Sequence, residues 1–240
     1  RIAEMSRGKL IGLTVDRAGQ SSMIGNLIVG RVEAIIPNLQ AAFVDIGETR
    51  SGYLGLPEVR PFGAESNDRI GAYVVEGDTV LVQVIRDPVA DKGAKLTMKP
   101  VLTGRDLVFT PARRGVSISR RISDPEERDR LSDALKNYGK EGGFILRTSA
   151  QEVEAEDLVG EADRLSAVWS EVEARFASTC PPETIFYEAT PAKRLLREVG
   201  GGELNAVVTN DPDMFNTLRQ FTEEEMPDVT SLIHLHLGKS

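Results

Sequence analysis

The sequence predicts an α+β protein in which a small closed β-barrel is followed by helices and strands in mixed order. Three observations carry that prediction. Residues 25–98 are a succession of short Val- and Ile-rich runs, NLIVGRVEAIIP, QAAFVDIG, GYLGL and TVLVQVIRDP, punctuated by Gly, Pro, Asn and Asp. Two stretches with helical spacing of apolar residues then interrupt strand-like text. From about residue 189 onward, short strands and helices alternate in an α/β pattern.

Short strands at close, regular spacing favour closure, and a five-stranded oligonucleotide-binding barrel is the economical form. In AAFVDIGETRSGYLGL, residues 41–56, a period of two puts Ala42, Val44 and Ile46 on one side and Phe43 with Asp45 on the other. After the turn residues Gly47 to Ser51, Tyr53 again opposes Leu54 and Leu56. Two aromatics are therefore expected on the wet face. Isolated surface aromatics are common, so the pattern alone favours packing over a functional role.

LVFTP and the basic run ARRGVSISRRI, residues 112–122, come next. A helix then starts where Asp124 can cap, Pro125 suits the first position and Glu127 completes a capping box. Its buried stripe is Leu131, Ala134, Leu135 and Tyr138, and Gly139 stops it. GFILRTSA, residues 143–150, reads as a strand. The longer helix, from about Glu154 to Phe176, aligns Leu158, Ala162, Leu165, Trp169, Val172 and Phe176 on one face, a core stripe. TCPPET breaks the chain. IFYEA is then expected as a strand, PAKRLLREV as a helix, LNAVVTN as a strand, DPDMFNTLRQF as a helix and VTSLIHLHL as a strand.

With 240 residues and 40% hydrophobic content, the chain suits one large domain or two to three small ones. The net charge of -8 argues against wholesale wrapping of nucleic acid but permits a local basic site. Cys180 is the single cysteine, so there is no disulfide framework and no zinc spacing, which fits a reducing cytoplasm. No apolar run approaches a membrane span and no signal-peptide core opens the chain. The start, RIAEMSRGKL, lacks an initiating Met and raises the expectation of a longer protein.

GRVEAIIPNLQAAFVDIGETRSGYLGL, DKGAKLT, GVSISRRI and GFILRTSA, in this order and at these separations, resemble the bacterial ribonuclease E and ribonuclease G family. The resemblance implies an RNA-binding barrel of the ribosomal-protein S-one type, residues 25–98, inserted into a ribonuclease-H-like α/β domain made of residues 1–24 and 189–240. Residues 99–188 would form a module that senses the 5′ end of RNA. Phe43 and Tyr53 match the family's aromatics that meet single-stranded RNA, and Lys92 matches the basic residue beside them. Aromatic faces stack on any base, while a lysine holds phosphate without reading sequence. Tyr53 stands where the family more often has Phe, and still offers a ring.

Arg147 and Thr148 match the family's 5′-monophosphate pocket, where a guanidinium fork and a hydroxyl clasp the phosphate. Adjacent strand residues point to opposite faces, so the two reach one ligand only if the strand ends or bends between them, and Ser149 and Ala150 suit such a turn. Arg120, the first Arg of SRRI, matches a further contact. Gly104 and Val108 in GRDLVFT match positions whose backbone lines the pocket. The spacing from Val108 to Arg120 is one residue shorter than is usual for the family.

The resemblance further implies that the intact protein is a magnesium-dependent endoribonuclease, its metal held by two aspartates in a domain beyond Ser240. The family's zinc-binding cysteine motif is missing from this sequence. This chain is thus expected to hold no cofactor and to bind 5′-monophosphorylated single-stranded RNA without cutting it; its oligomeric state is open. A stand-alone, non-catalytic RNA-binding relative and a protein-binding module of an RNA-processing assembly are the alternatives. His234 and His236 alternate near the terminus without a carboxylate motif, and a structural role is expected. EEEMPD, residues 223–228, reads as a solvated loop. Asp45 and Asp106 are isolated, and GGGE, residues 200–203, reads as a turn.

Overall fold

Alternation of apolar and polar residues governs the first part of the chain. The computed structural model describes residues 1–15, 22–64, 69–136, 138, 142–199 and 204–238. A hairpin, β1 (Ile2–Ser6) and β2 (Lys9–Thr14), precedes β3 (Leu27–Ile36), β4 (Ala41–Asp45), β5 (Gly52–Gly55), the single-turn α1 (Leu56–Val59), β6 (Thr79–Arg86) and β7 (Lys95–Thr97). The last five strands pair in the order β3-β4-β5-β7-β6, and β6 returns to β3, so the barrel is closed. Its pairings are antiparallel except β5 with β7. β3 pairs with β6 through Leu27–Arg31 and with β4 through Arg31–Ile36, with a register shift between Val32 and Ala34. The extra residue bends the strand, which lets it serve both sides of a narrow barrel.

Ile28, Val32, Ala42, Val44, Leu54, Val82, Val84 and Leu96 fill the interior. The expected facing is observed in the two strands, with Ala42, Val44 and Leu54 fully buried and Phe43 and Tyr53 partly exposed outside, whereas Leu56 is half-buried and already begins α1. The closed five-stranded barrel is consistent with the oligonucleotide-binding fold. Leu27 and Val29, on the outer side of β3, are also fully buried, against a second core. This explains why NLIVG lacks alternation: the strand is covered on both faces.

That second core belongs to β8 (Leu102–Thr103), β9 (Leu107–Thr110), β10 (Gly115–Ile118), α2 (Pro125–Lys136), β11 (Gly143–Leu146) and α3 (Ala155–Ser178). The sheet order is β10-β11-β9-β8, with β10 and β11 parallel and α2 between them in sequence. Leu131 and Leu135 of α2 and Leu158, Ala162 and Val172 of α3 are buried, and Leu165, Trp169 and Phe176 pack on them, as the stripes predicted. Gly139, the expected helix stop, lies outside the described residues. The expected capping box does not form. The Asp124 carboxylate accepts from the Glu126 N–H at 3.1 Å. Glu127 instead binds Arg130 and accepts from the Glu152 N–H at 3.0 Å, tying α2 to the turn before α3.

β12 (Glu183–Phe186) starts earlier than IFYEA suggested and pairs antiparallel with β3, extending the barrel sheet. The tail comprises α4 (Pro191–Val199), β13 (Val207–Thr209), α5 (Pro212–Glu225) and β14 (Ile233–Leu235), with β13 and β14 parallel. VTSLIHLHL is not a continuous strand: a 3-10 segment spans Pro227–Leu232, and Val229 and Ile233, four residues apart, are both buried in a third core with Leu196, Leu218 and Phe221. Helical spacing rather than alternation describes that segment. The hairpin and the tail form separate two-stranded sheets, so among the described residues the tail receives no strand from the first segment. Residues just before β3 reach the tail and the segment leading into it: Arg194 Nη1 donates to the Ile24 carbonyl at 2.8 Å, and the Glu188 N–H to Asn26 Oδ1 at 2.9 Å. Among the described residues no helix is long and apolar enough to cross a membrane.

Candidate nucleic-acid interface

Two surfaces collect the residues that the sequence singled out. On the barrel, β4 and β5 pair so that Phe43 lies directly opposite Tyr53. Their ring centroids are 6.2 Å apart at an interplanar angle of 75°, an edge-on arrangement. Tyr53 is also in register with Lys95 of β7, whose Nζ lies 3.5 Å from Glu58 Oε1. Lys92 is exposed in the loop leading into β7, where the Ala94 carbonyl accepts from the Tyr53 N–H at 2.7 Å. The loop is pinned from the other side by Arg50, which donates to the Asp91 carbonyl at 2.8 Å. Two aromatic rings and two lysines thus share one neighbourhood of the barrel. Lys95 was not singled out from sequence; the parallel β5–β7 pairing, a long-range contact, is what brings it to Tyr53.

The second surface is an open cleft of about 480 Å³, lined by Ser119, Arg121, Ile145 to Ser149, Glu198 and Val199. β11 ends at Leu146 and a 3-10 turn covers Thr148–Ala150, so the bend needed between Arg147 and Thr148 is present. Both residues line the cleft. Thr148 Oγ1 lies 3.3 Å from Ser119 Oγ. Arg147 Nη1 is held by the carbonyls of Gly104, Arg105 and Arg197 at 3.0, 2.8 and 3.2 Å. Arg120 is exposed on the turn after β10 and is not part of the lining; its neighbour Arg121 is. Gly104 is buried behind the cleft and contributes through its carbonyl, and Val108 pairs with Ile145 across β9 and β11.

Behind the cleft lies a group that sequence reading missed. Glu161, 7% exposed on α3, accepts the Asp106 N–H with both carboxylate oxygens, at 3.1 and 3.2 Å. Burial, followed by the nearby Asp106 charge, pushes its carboxyl up to about 7, against the pull of the Asp106, Leu107 and Arg105 N–H groups. Burial also raises Asp106, whose Oδ1 has no hydrogen-bond partner among the described residues. Asp106 is therefore not isolated. The helical spacing of Leu158, Glu161, Ala162 and Leu165 was the available signal.

Where the cleft meets the tail, ion pairs lock the junction. Arg105 makes a bidentate contact with Asp228, with Nη2 to Oδ2 at 2.7 Å. Arg197 binds Glu225 at 2.9 and 3.0 Å and Glu188 at 2.9 Å. EEEMPD is accordingly not a solvated loop: it spans the end of α5 and the start of the 3-10 segment, and two of its carboxylates hold buried or half-buried arginines. Asp211 caps α5, accepting the N–H groups of Asp213 and Met214 at 2.9 and 3.3 Å. His234 is exposed, and among the described residues no three His, Cys, Asp or Glu side chains gather as a metal site. GGGE lies outside the described residues.

Comparison with known proteins adds an independent line. Ribonuclease G of Salmonella typhimurium (strain SL1344) is 33% identical over 248 residues, covering 99% of this chain and 51% of that protein. Ribonuclease G of Escherichia coli (strain K12) is 32% identical over 249 residues, 100% of this chain and 51% of that protein. Ribonuclease E of Synechocystis sp. is 30% identical over 203 residues, 83% of this chain and 30% of that protein. The chain thus spans about half the length of the ribonuclease G relatives it matches. The sequence model described as the Ribonuclease E/G family covers residues 101–240, which include the cleft and the whole tail. With relatives aligned along its full length and the family model over more than half of it, this chain belongs to the ribonuclease E/G family.

Proposed function

We propose that residues 1–240 bind single-stranded RNA through the barrel and sense a 5′-monophosphate in the cleft, as part of a ribonuclease E/G-type endoribonuclease of RNA processing and decay. The barrel would be of the ribosomal-protein S-one type, residues 99–188 the 5′ sensor, and residues 1–24 with 189–240 a ribonuclease-H-like domain. One observation carries the reading. Three carbonyls fix Arg147 by Nη1, leaving its Nε and Nη2 without a protein acceptor among the described residues, in a cleft that Thr148 and Ser119 also line. A guanidinium edge and two hydroxyls in one cleft suit a terminal phosphate. Arg121 adds positive charge to the wall. The site for the phosphate chain is the Phe43, Tyr53, Lys92 and Lys95 surface, where stacking and charge act without reading sequence. Arg120 is the assigned pocket contact that fits least, because Arg121 occupies the wall in its place.

Magnesium-dependent cleavage and a cytoplasmic setting are proposed for the whole protein. Residues 1–240 by themselves are proposed to bind and not cut, because several carboxylates of the tail and its approach are engaged: Asp211 in capping, Glu225, Glu188 and Asp228 in ion pairs. The test compares Kd for one oligoribonucleotide sequence bearing a 5′-monophosphate or a 5′-hydroxyl. The parent should prefer the phosphate, and Arg147→Lys should lose most of that preference because lysine cannot present two parallel donors. Equal binding of both ends by the parent would sink the sensor assignment. Magnesium-dependent fragments that vanish in Asp211→Asn would sink the non-cleaving one.

A further inference from the structure

We infer that Glu161 is a positioning residue for the cleft: its buried carboxylate fixes the turn of residues 104–107, and the carbonyls of that turn set where Arg147 stands. The inference rests on reading the cleft as a 5′-phosphate site.

Glu161 sits on the buried face of α3 beside Leu158 and Ala162, where an unassisted carboxylate is costly. The turn compensates it. Both oxygens take the Asp106 N–H, and a Cβ at position 104 would stand 1.9 Å from Oε1, so a glycine there is what admits the carboxylate. The other side of the same turn holds the cleft. The Gly104 and Arg105 carbonyls accept from Arg147 Nη1, the Asp106 carbonyl from the Arg147 N–H at 2.8 Å, and the Arg105 carbonyl also from Ser149 Oγ at 2.8 Å.

Four residues of turn therefore connect a helix carboxylate to the guanidinium, and Glu161 itself does not line the cleft. Its influence on a ligand is carried by the turn. A site whose outer residues are held by such a second layer loses affinity when that layer is loosened, even though no ligand contact is removed. The charged groups around it are Asp106 and Arg105 in the turn, Arg147 at the end of β11 and Asp228 beyond Arg105. Because Glu161 titrates at about 7, the position of the turn has a proton-dependent component.

The test measures, for the purified chain, the ratio of Kd for 5′-hydroxyl to 5′-monophosphate versions of one single-stranded oligoribonucleotide, with a thermal melt of each variant. Glu161→Ala should lower the ratio by about tenfold, the scale of one lost hydrogen bond to a charged group. Glu161→Gln keeps one carbonyl acceptor and should retain most of the ratio while flattening its change between about pH 6 and pH 8 relative to the parent. The titration of the RNA phosphate is common to both proteins and cancels in that comparison. Gly104→Ala, which drives a methyl into the carboxylate, should act like Glu161→Ala. A folded Glu161→Ala with the parent's ratio would overturn the inference. If that variant does not fold, a Glu161→Gln pH profile superimposing on the parent's would overturn it equally. A parent ratio of one removes the phosphate reading and the inference together, an outcome separable from the others because it is seen before any substitution.

Discussion

Phe43 shows how much one side chain reveals at this scale. Its neighbours Ala42 and Val44 are fully buried, while its own ring stays on the outer face against Tyr53. Phe43→Ala should therefore weaken single-stranded RNA binding by roughly 1–3 kcal/mol and leave the melting temperature nearly unchanged, since little core is removed. Loss of folding with unchanged affinity of the folded fraction would return Phe43 to a packing role. Lys92→Ala and Lys95→Ala should instead reduce the salt dependence of binding. Glu161 gives the pH prediction. Its folded carboxyl titrates at about 7 against an ordinary 4.5, so the folded state binds the proton more tightly. Between those two values its contribution to stability falls as pH rises, by up to about 1.4 kcal/mol per pH unit, and the cost is fully present above about 7. The burial-raised Asp106 acts in the same direction. Urea unfolding of the parent and Glu161→Gln across that range should show a shallower slope in the variant, with the Asp106 part retained.

At the scale of elements, α4 matters because its last turn delivers Glu198 and Val199 to the cleft. Glu198 adds a negative charge to a lining that also holds Arg121 and Arg147, and so disfavours an anionic ligand. Glu198→Gln should tighten binding of 5′-monophosphorylated RNA by a few-fold at low ionic strength, with the gain shrinking as salt screens the pair. A titration at two salt concentrations measures it, and an unchanged affinity at low salt would place Glu198 outside the ligand's field. The β11-to-turn step is the other decisive element: had the strand continued past Leu146, Arg147 and Thr148 would point to opposite faces.

For the whole molecule, the cleft is a junction between the sheet of residues 102–146 and the tail. Arg197 illustrates the coupling: its guanidinium holds Glu188 and Glu225, while its carbonyl accepts from Arg147. Arg197→Ala would leave Glu188, 9% exposed at its side chain, without its cation, a change that typically costs about 3–5 kcal/mol. The unfolding midpoint in urea should drop accordingly. The 5′-phosphate preference should fall as well, while affinity for 5′-hydroxyl RNA, carried by the barrel, should hold. A variant that keeps the parent's unfolding midpoint would show that the tail docks by other contacts.

The amino-acid sequence by itself determined four of the five barrel strands, the outward facing of Phe43 and Tyr53 and the stripes of α2 and α3, because each depends on local spacing: a period of two or a period near 3.6. Its four family motifs also sufficed to indicate the ribonuclease E/G relationship. Tertiary structure decided the rest. Lys95 reaches Tyr53 through a strand pairing 42 residues long-range in sequence. Glu127 leaves its capping role for the turn before α3, and the carboxylates of EEEMPD meet Arg105 and Arg197 only once the tail has packed. Arg121 rather than Arg120 lines the cleft, although both are exposed on the turn after β10. The spacing of Glu161 puts it beside the core stripe of α3, but the 104–107 turn that takes its carboxylate is known only from the fold. In each case the deciding energy comes from burial and charge pairing between segments distant in the chain, which no local periodicity encodes.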